Sequence, residues 1–214
     1  MKKIFDHKIF QLLEKIVDCI CLSVLWLVFS LPFVTIGASS TAVYYTINKV
    51  VRHERGMLFR EFFGAFKKNF KQSTLVWLIL VAIYCIWSLD CYMLYQMLEA
   101  GYAIGLMIAV FLVFFVAAAI WTCYLFPYMA RFEDTTKTVL LNSFRIAFAN
   151  IKETIFILIM TVIQVVLTVL SVPMGILFVG IYTLTINLII EPVFKKYMSP
   201  EELEKEKQRN YIEK

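Results

Sequence analysis

The chain has 214 residues, of which 61% are hydrophobic and only 17% charged, with a formal net charge of +5. Laid out in apolar runs of about 20 residues, this composition excludes a soluble domain and places the chain in lipid. No phosphate loop, nucleophile elbow, dinucleotide fingerprint or zinc-type histidine pair occurs, so no enzyme, cofactor or metal is expected.

Phe5, Ile9, Leu12, Leu13 and Ile16 recur at helical spacing and predict an amphipathic lead-in on the inner surface. A first span is expected over 16–35. Its length, and Glu14 and Asp18 close to its start, disfavour a cleaved leader ending near Ile36-Gly37-Ala38. Pro32 removes a backbone donor and Gly37 frees the chain to turn. Ser39, Ser40 and Thr41 are candidate caps for a short second helix over 38–51. One bent helix or a hairpin would both fit the residues, and charge decides. Lys2, Lys3, Lys8 and Lys15 precede the first span, and Lys49, Arg52, Arg55, Arg60, Lys67, Lys68 and Lys71 follow the second helix. Only a hairpin keeps both groups inside.

From Met57 to Lys71, Phe59, Phe62, Phe63, Phe66 and Phe70 share one helical face, with Arg60, Lys67, Lys68 and Lys71 on or beside the other. Such a helix lies in the interface over anionic headgroups, or packs on the protein's own inner face. A third span is expected over 73–95 and a fourth over 102–126, joined by a loop without Lys or Arg and ended by Pro127. Leu140, Leu141, Phe144, Phe148 and Ile151 predict a second interface helix. Spans over 154–172 and 175–191 follow, then a charged tail over 195–214. All 21 Lys and Arg then fall inside, while Asp90 and Glu99 are the only acids toward the outside. The expected fold is all-α: a single polytopic membrane domain over 1–214 with six transmembrane helices, two cytoplasmic amphipathic interface helices and both termini in the cytoplasm, set in the plasma membrane.

Ala65 to Ser73 resembles Ala147 to Thr154 with one gap, a weak repeat leading each time from an interface helix into a span. The five cysteines, Cys19, Cys21, Cys85, Cys91 and Cys123, all lie in apolar segments and read as small core residues.

Ionisable groups at membrane depth are costly, which singles out Asp90 as a holder of a cation, a proton or a sugar hydroxyl, or else as a carboxylate hydrated near the headgroups. Glu191 belongs to the inner boundary, with Lys15, Lys195 or Lys196 as expected partners. Asn187 and Gln164 read as interhelical glue. Gly37, Ala38, Thr41 and Ala42 are small at a spacing that lets helices approach closely. Arg60, Lys67, Lys68 and Lys71 are the expected membrane-surface or partner contacts.

Two stretches carry a family resemblance: Leu31-Pro32-Phe33-Val34-Thr35-Ile36-Gly37-Ala38-Ser39 running into Thr41-Ala42-Val43-Tyr44-Tyr45, and Phe62 to Lys71. With Phe126-Pro127-Tyr128-Met129-Ala130-Arg131-Phe132, they resemble the YesL-like family of bacterial integral membrane proteins. The resemblance implies no particular chemistry. Members tend to be encoded beside carbohydrate importers of the ATP-binding-cassette (ABC) type, which implies an accessory or regulatory role near sugar uptake. A small transporter or channel is the alternative.

Overall fold

The computed structural model describes residues 2–100 and 105–212, without the side chains of 2–9, 205, 207 and 209–212. The expected start of the fourth span at Tyr102, the end of the preceding loop, and the side chains of Lys2, Lys3, Phe5, His7, Lys8 and Ile9 therefore lie outside the described residues.

The lead-in and the first apolar run form one helix, α1 (Lys2–Ser30). The chain then bends, makes one tight 3-10 turn at Phe33–Thr35, and enters α2 (Ile36–Thr46), which is prolonged by a π turn over Ile47–Arg52. The break falls where Pro32 withholds its amide, so the last residues of the expected 16–35 span belong to the turn. The new helix also starts ahead of the expected caps. The Thr35 hydroxyl turns back to the carbonyls of Phe29 and Pro32, at 2.5 and 2.6 Å, and ties the bend shut. Ser39 and Thr41 lie within α2 and donate one turn back, to Thr35 and Gly37.

Helices α1 and α2 run antiparallel: Lys15 pairs with Glu54 at 3.2 Å, and Trp26 donates to Ser40 at 3.0 Å. The geometry is that of a hairpin, not of one bent helix. Gly37 sits inside α2 instead of at the turn, and its missing side chain serves contact. A Cβ there would lie 2.5 Å from the Ser73 carbonyl oxygen and 2.8 Å from Trp77 Cβ. Gly37, Ala38, Thr41 and Ala42 are all buried, and Thr41 and Ser73 share a 3.0 Å hydrogen bond.

That contact belongs to α3 (Leu58–Glu99), a helix of 42 residues. It joins the Phe-rich stretch to the third apolar run without a break, over roughly 60 Å at 1.5 Å per residue. Its first half lies antiparallel along α2, with Lys49 on Glu61 at 2.9 Å at one end and Trp77 against Phe33 at the other. Phe62 is fully buried there, and Phe29 nests among Phe62, Phe63 and Phe66 with centroids 5.2–5.6 Å apart. The second half runs past α2 and pairs with α4 (Gly105–Arg131) through Trp87 on Phe111 and Phe115. Pro127 does not end α4, which continues through it to Arg131.

Helix α5 (Thr136–Ala149) begins at a Thr135 cap and buries Val139, Ser143, Ile146 and Ala147. Its other apolar face, with the Phe144 and Phe148 rings tilted against each other at 4.5 Å, stays exposed. Helices α6 (Ile151–Leu170), α7 (Val172–Leu177), α8 (Val179–Lys196) and α9 (Pro200–Ile212) complete the chain. The two repeat-like stretches share one feature. The Asn69 and Asn150 amides each donate to the carbonyl four residues back, at 3.0 and 2.9 Å. They then diverge, because α3 runs on through Asn69 while Asn150 separates α5 from α6.

Helices α3, α4 and α6 are each long and apolar enough to cross a bilayer. They present exposed apolar side chains such as Leu89, Met93, Leu106, Val113, Val162 and Val169. The chain is a mostly α-helical, multi-pass protein embedded in the membrane.

Candidate functional site

Two cavities adjoin one another along α2 and α4, and the first also reaches α8. The first, about 490 Å³ and partly open, is lined on these helices by Ser40 and Tyr44, by Thr122 and Phe126, and by Tyr182 and Ile186. The second, about 560 Å³, is a charged cleft whose lining includes Asn48, Lys49, His53, Arg131 and Glu206. On α2 and α4 the linings change over within two residues, from Tyr44 to Tyr45 and from Pro127 to Met129, and a polar layer lies at that junction.

That layer holds a buried carboxylate. Glu191 is 1% exposed and accepts a 3.3 Å hydrogen bond from the Tyr44 hydroxyl on Oε1. Its Oε2 lies 3.5 Å from Arg131 Nε, an ion-pair distance without a formed hydrogen bond, so both of those atoms lack one. One turn earlier on α8, Asn187 is fully buried and accepts from Arg52 at 3.0 Å, while its own amide nitrogen has no partner among the described residues. Arg131 also binds Glu206 of α9, which Lys195 holds from the other side at 3.3 Å. The layer thereby ties α2, α4, α8, α9 and the π turn together. A charge pair withdrawn from water is held by mutual attraction and hydrogen bonds, and removing one member leaves the other uncompensated.

Around the layer, His53 hydrogen-bonds the Asn48 carbonyl at 2.5 Å. Burial holds its pKa below the usual 6.5 despite that bond, and Arg55, Arg52 and Lys195 push the same way. Burial works to raise the pKa of Glu206, but Arg131 and Lys195 outweigh it and hold the carboxyl below its ordinary 4.5. A depressed carboxylate stabilises its contact fully above the unfolded value and loses that contribution as pH falls through the folded one. Acidification below about pH 4.5 should therefore release α9, seen as faster proteolysis of the tail after Ser199 than at pH 7. Equal cleavage rates at both pH values would contradict this.

The residues singled out in the sequence divide between this layer and other surfaces. Asn187 and Glu191 come together in the layer. The expected partners of Glu191 are replaced by Arg131 and Tyr44, while Lys15 is engaged by Glu54 and Lys196 by Glu153. Asp90 lies apart on the second half of α3, exposed, beside Trp87, Met93 and Met107, with no polar partner among the described residues. Arg60, Lys67 and Lys71 are exposed along the first half of α3, and Lys68 pairs with Glu133. Gln164 does join elements, donating to the Gly175 carbonyl at 2.7 Å. Of the five free thiols, Cys85 and Cys91 are exposed on α3 instead of lying in a core. The sequence reading missed Tyr44, Arg52, Arg131 and Glu206 as members of one cluster. The available signal was the echo of Pro127 followed by Arg131 in Pro192 followed by Lys195, at the ends of two neighbouring helices.

Neither the comparison with curated proteins nor that with solved structures gave a match. Residues 19–91, which take in the last part of α1, the bend, α2 and most of α3, match the family described as "Protein of unknown function, DUF624", a match consistent with the resemblance to YesL-like bacterial membrane proteins.

Proposed function

We propose that this protein is an accessory or regulatory membrane component that docks through its inner face on another membrane assembly, an ABC-type carbohydrate importer in keeping with the resemblance. The observation that carries this reading is the closed inner end of the bundle. The Tyr44–Glu191–Arg131 layer separates the central cavity from the inner cleft, which suits a scaffold better than a conduit. Arg60, Lys67 and Lys71, exposed along one helix, offer cations to anionic headgroups or to an acidic partner surface. No catalytic role is assigned. Deleting the protein should alter sugar uptake only while the importer is present. Reversing charge at Lys67, Lys68 and Lys71 should reproduce the deletion with the protein still in the membrane. Unchanged uptake in both strains would overturn the reading.

In this reading the chain is one membrane domain that crosses six times, with amphipathic segments at 57–71 and 136–149 on the cytoplasmic side and both termini inside. The distribution of Lys and Arg and the antiparallel α1–α2 pair support it. Single cysteines at Glu99 and Met174, in a cysteine-free background, should react with an impermeant thiol reagent on intact cells, while one at Lys68 should not. Labelling at Lys68 would overturn the topology.

The succession of the two cavities favours a second reading, a small transporter or channel in which the charged layer is the closed gate. Flux of a sugar through liposomes containing only this protein, abolished by Asp90→Asn or Glu191→Gln, would establish it in place of the first.

A further inference from the structure

The central cavity has polar residues on every wall, yet most of their donors are already engaged. Tyr84 lies 3.0 Å from Thr122, which donates to the Ala118 carbonyl. Tyr182 lies 2.9 Å from Thr161, which donates to Ile157. Thr168 donates to Gln164, Thr183 to Val179, and the Gln164 amide to Gly175. Trp26 donates to Ser40, and Tyr44 points its proton away to Glu191. What remains toward the cavity is ring faces, threonine methyls and aliphatic groups such as Val43, Val179 and Ile186. Among the described residues, no charged one lines it.

A polyhydroxylated ligand would meet hydroxyl oxygens that can still accept but few that can donate, on a wall that is otherwise apolar, and would pay for each group left unpaired. A hydrocarbon chain pays nothing of the kind. A volume of about 490 Å³ lies within the range of small-molecule pockets. The surroundings supply such chains, since α3, α4 and α6, each long and apolar enough to cross a bilayer, all contribute to the wall. We infer that the central cavity is a binding site for one hydrocarbon chain, the acyl chain of a lipid, held against Trp26, Tyr84, Phe126 and Tyr182. The chain occupies the space above the Glu191 layer, so its presence bears on the packing of α6 and α8 around Thr161 and Tyr182. This site does not depend on the partner proposed above.

Trp26 provides the readout. Delipidated full-length protein in detergent is titrated with phosphatidylglycerol carrying brominated acyl chains and, separately, with brominated oleic acid, and tryptophan quenching is followed. The expected result is a saturable component complete near one equivalent, absent from Trp26→Phe and weakened at least tenfold in Ala119→Phe, which fills the cavity from α4. Thr183→Phe, which fills it from α8, serves if Ala119→Phe melts early. Saturation by both probes means that the chain alone is recognised; saturation by one identifies phospholipid or free acid as the source. Quenching that only rises linearly with the mole fraction of bromine, or a saturable component that survives in the filled variants, overturns the inference.

Discussion

Arg131→Leu should lower stability by about 3–5 kcal/mol, the range for removing one partner of a buried ion pair. Glu191 is 1% exposed and draws its charge compensation from Arg131, with Tyr44 and Arg52 as the other polar neighbours in the layer. Without the guanidinium, the carboxylate is left buried, with the Tyr44 hydroxyl still donating to it. Glu206 loses its closest cation at the same time and, among the described residues, keeps Lys195. The measurement is the thermal unfolding of the purified protein in mild detergent, together with its recovery as a single species. The double variant Arg131→Leu with Glu191→Leu should regain most of the loss, since replacing a whole buried pair with apolar groups of similar size is often neutral or better. A double variant as unstable as Arg131→Leu alone would show that the charge pair is not what makes the layer matter.

The same layer marks where sequence reasoning stops. Apolar run length and the distribution of Lys and Arg are long-range averages. They suffice to reveal the membrane class, the α1–α2 hairpin and the positions of the apolar helices, because bilayer thickness and charge cost act on whole segments. Which polar groups meet is a different matter. Glu191 and Arg131 are 60 positions apart, and Glu191 is much closer in sequence to Lys195 and Lys196, so proximity along the chain favoured the wrong partners. Helix path was also misleading at the prolines. Pro32 coincides with a break because Thr35 folds back on Phe29, whereas Pro127 sits in an uninterrupted helix. Both residues lack the same amide, and neighbours decide the outcome. The long α3 shows the opposite failure. The amphipathic Phe-rich stretch and the apolar run after it differ in composition and therefore read as two elements, yet nothing between Lys71 and Ser73 breaks a helix.

Glycines give the sharpest contrast between substitutions that look alike in sequence. Gly180→Ala should be severely destabilising, since the new Cβ would lie 2.1 Å from the Cys19 carbonyl oxygen and 2.7 Å from its carbon. The obstacle is backbone, which cannot swing aside as a side chain can. α1 and α8 would have to separate, breaking the hydrogen bonds by which Ser23 receives the Gly180 amide at 2.8 Å and donates to Leu177 at 2.9 Å. The cost should exceed the roughly 1–3 kcal/mol typical of adding a methylene to a packed core. Gly37→Ala should act in the same direction, with the Ser73 carbonyl oxygen 2.5 Å from the new atom. Gly64→Ala should do the reverse. Nothing lies within 4 Å of a Cβ built there, and the residue sits inside α3, where alanine is favoured over glycine by roughly 0.5–1 kcal/mol. Melting temperatures of the three variants in one detergent provide the check. The expected order is Gly64→Ala above the parent and both other variants well below it. A Gly180→Ala protein as stable as the parent would mean that α1 and α8 do not meet at Cys19.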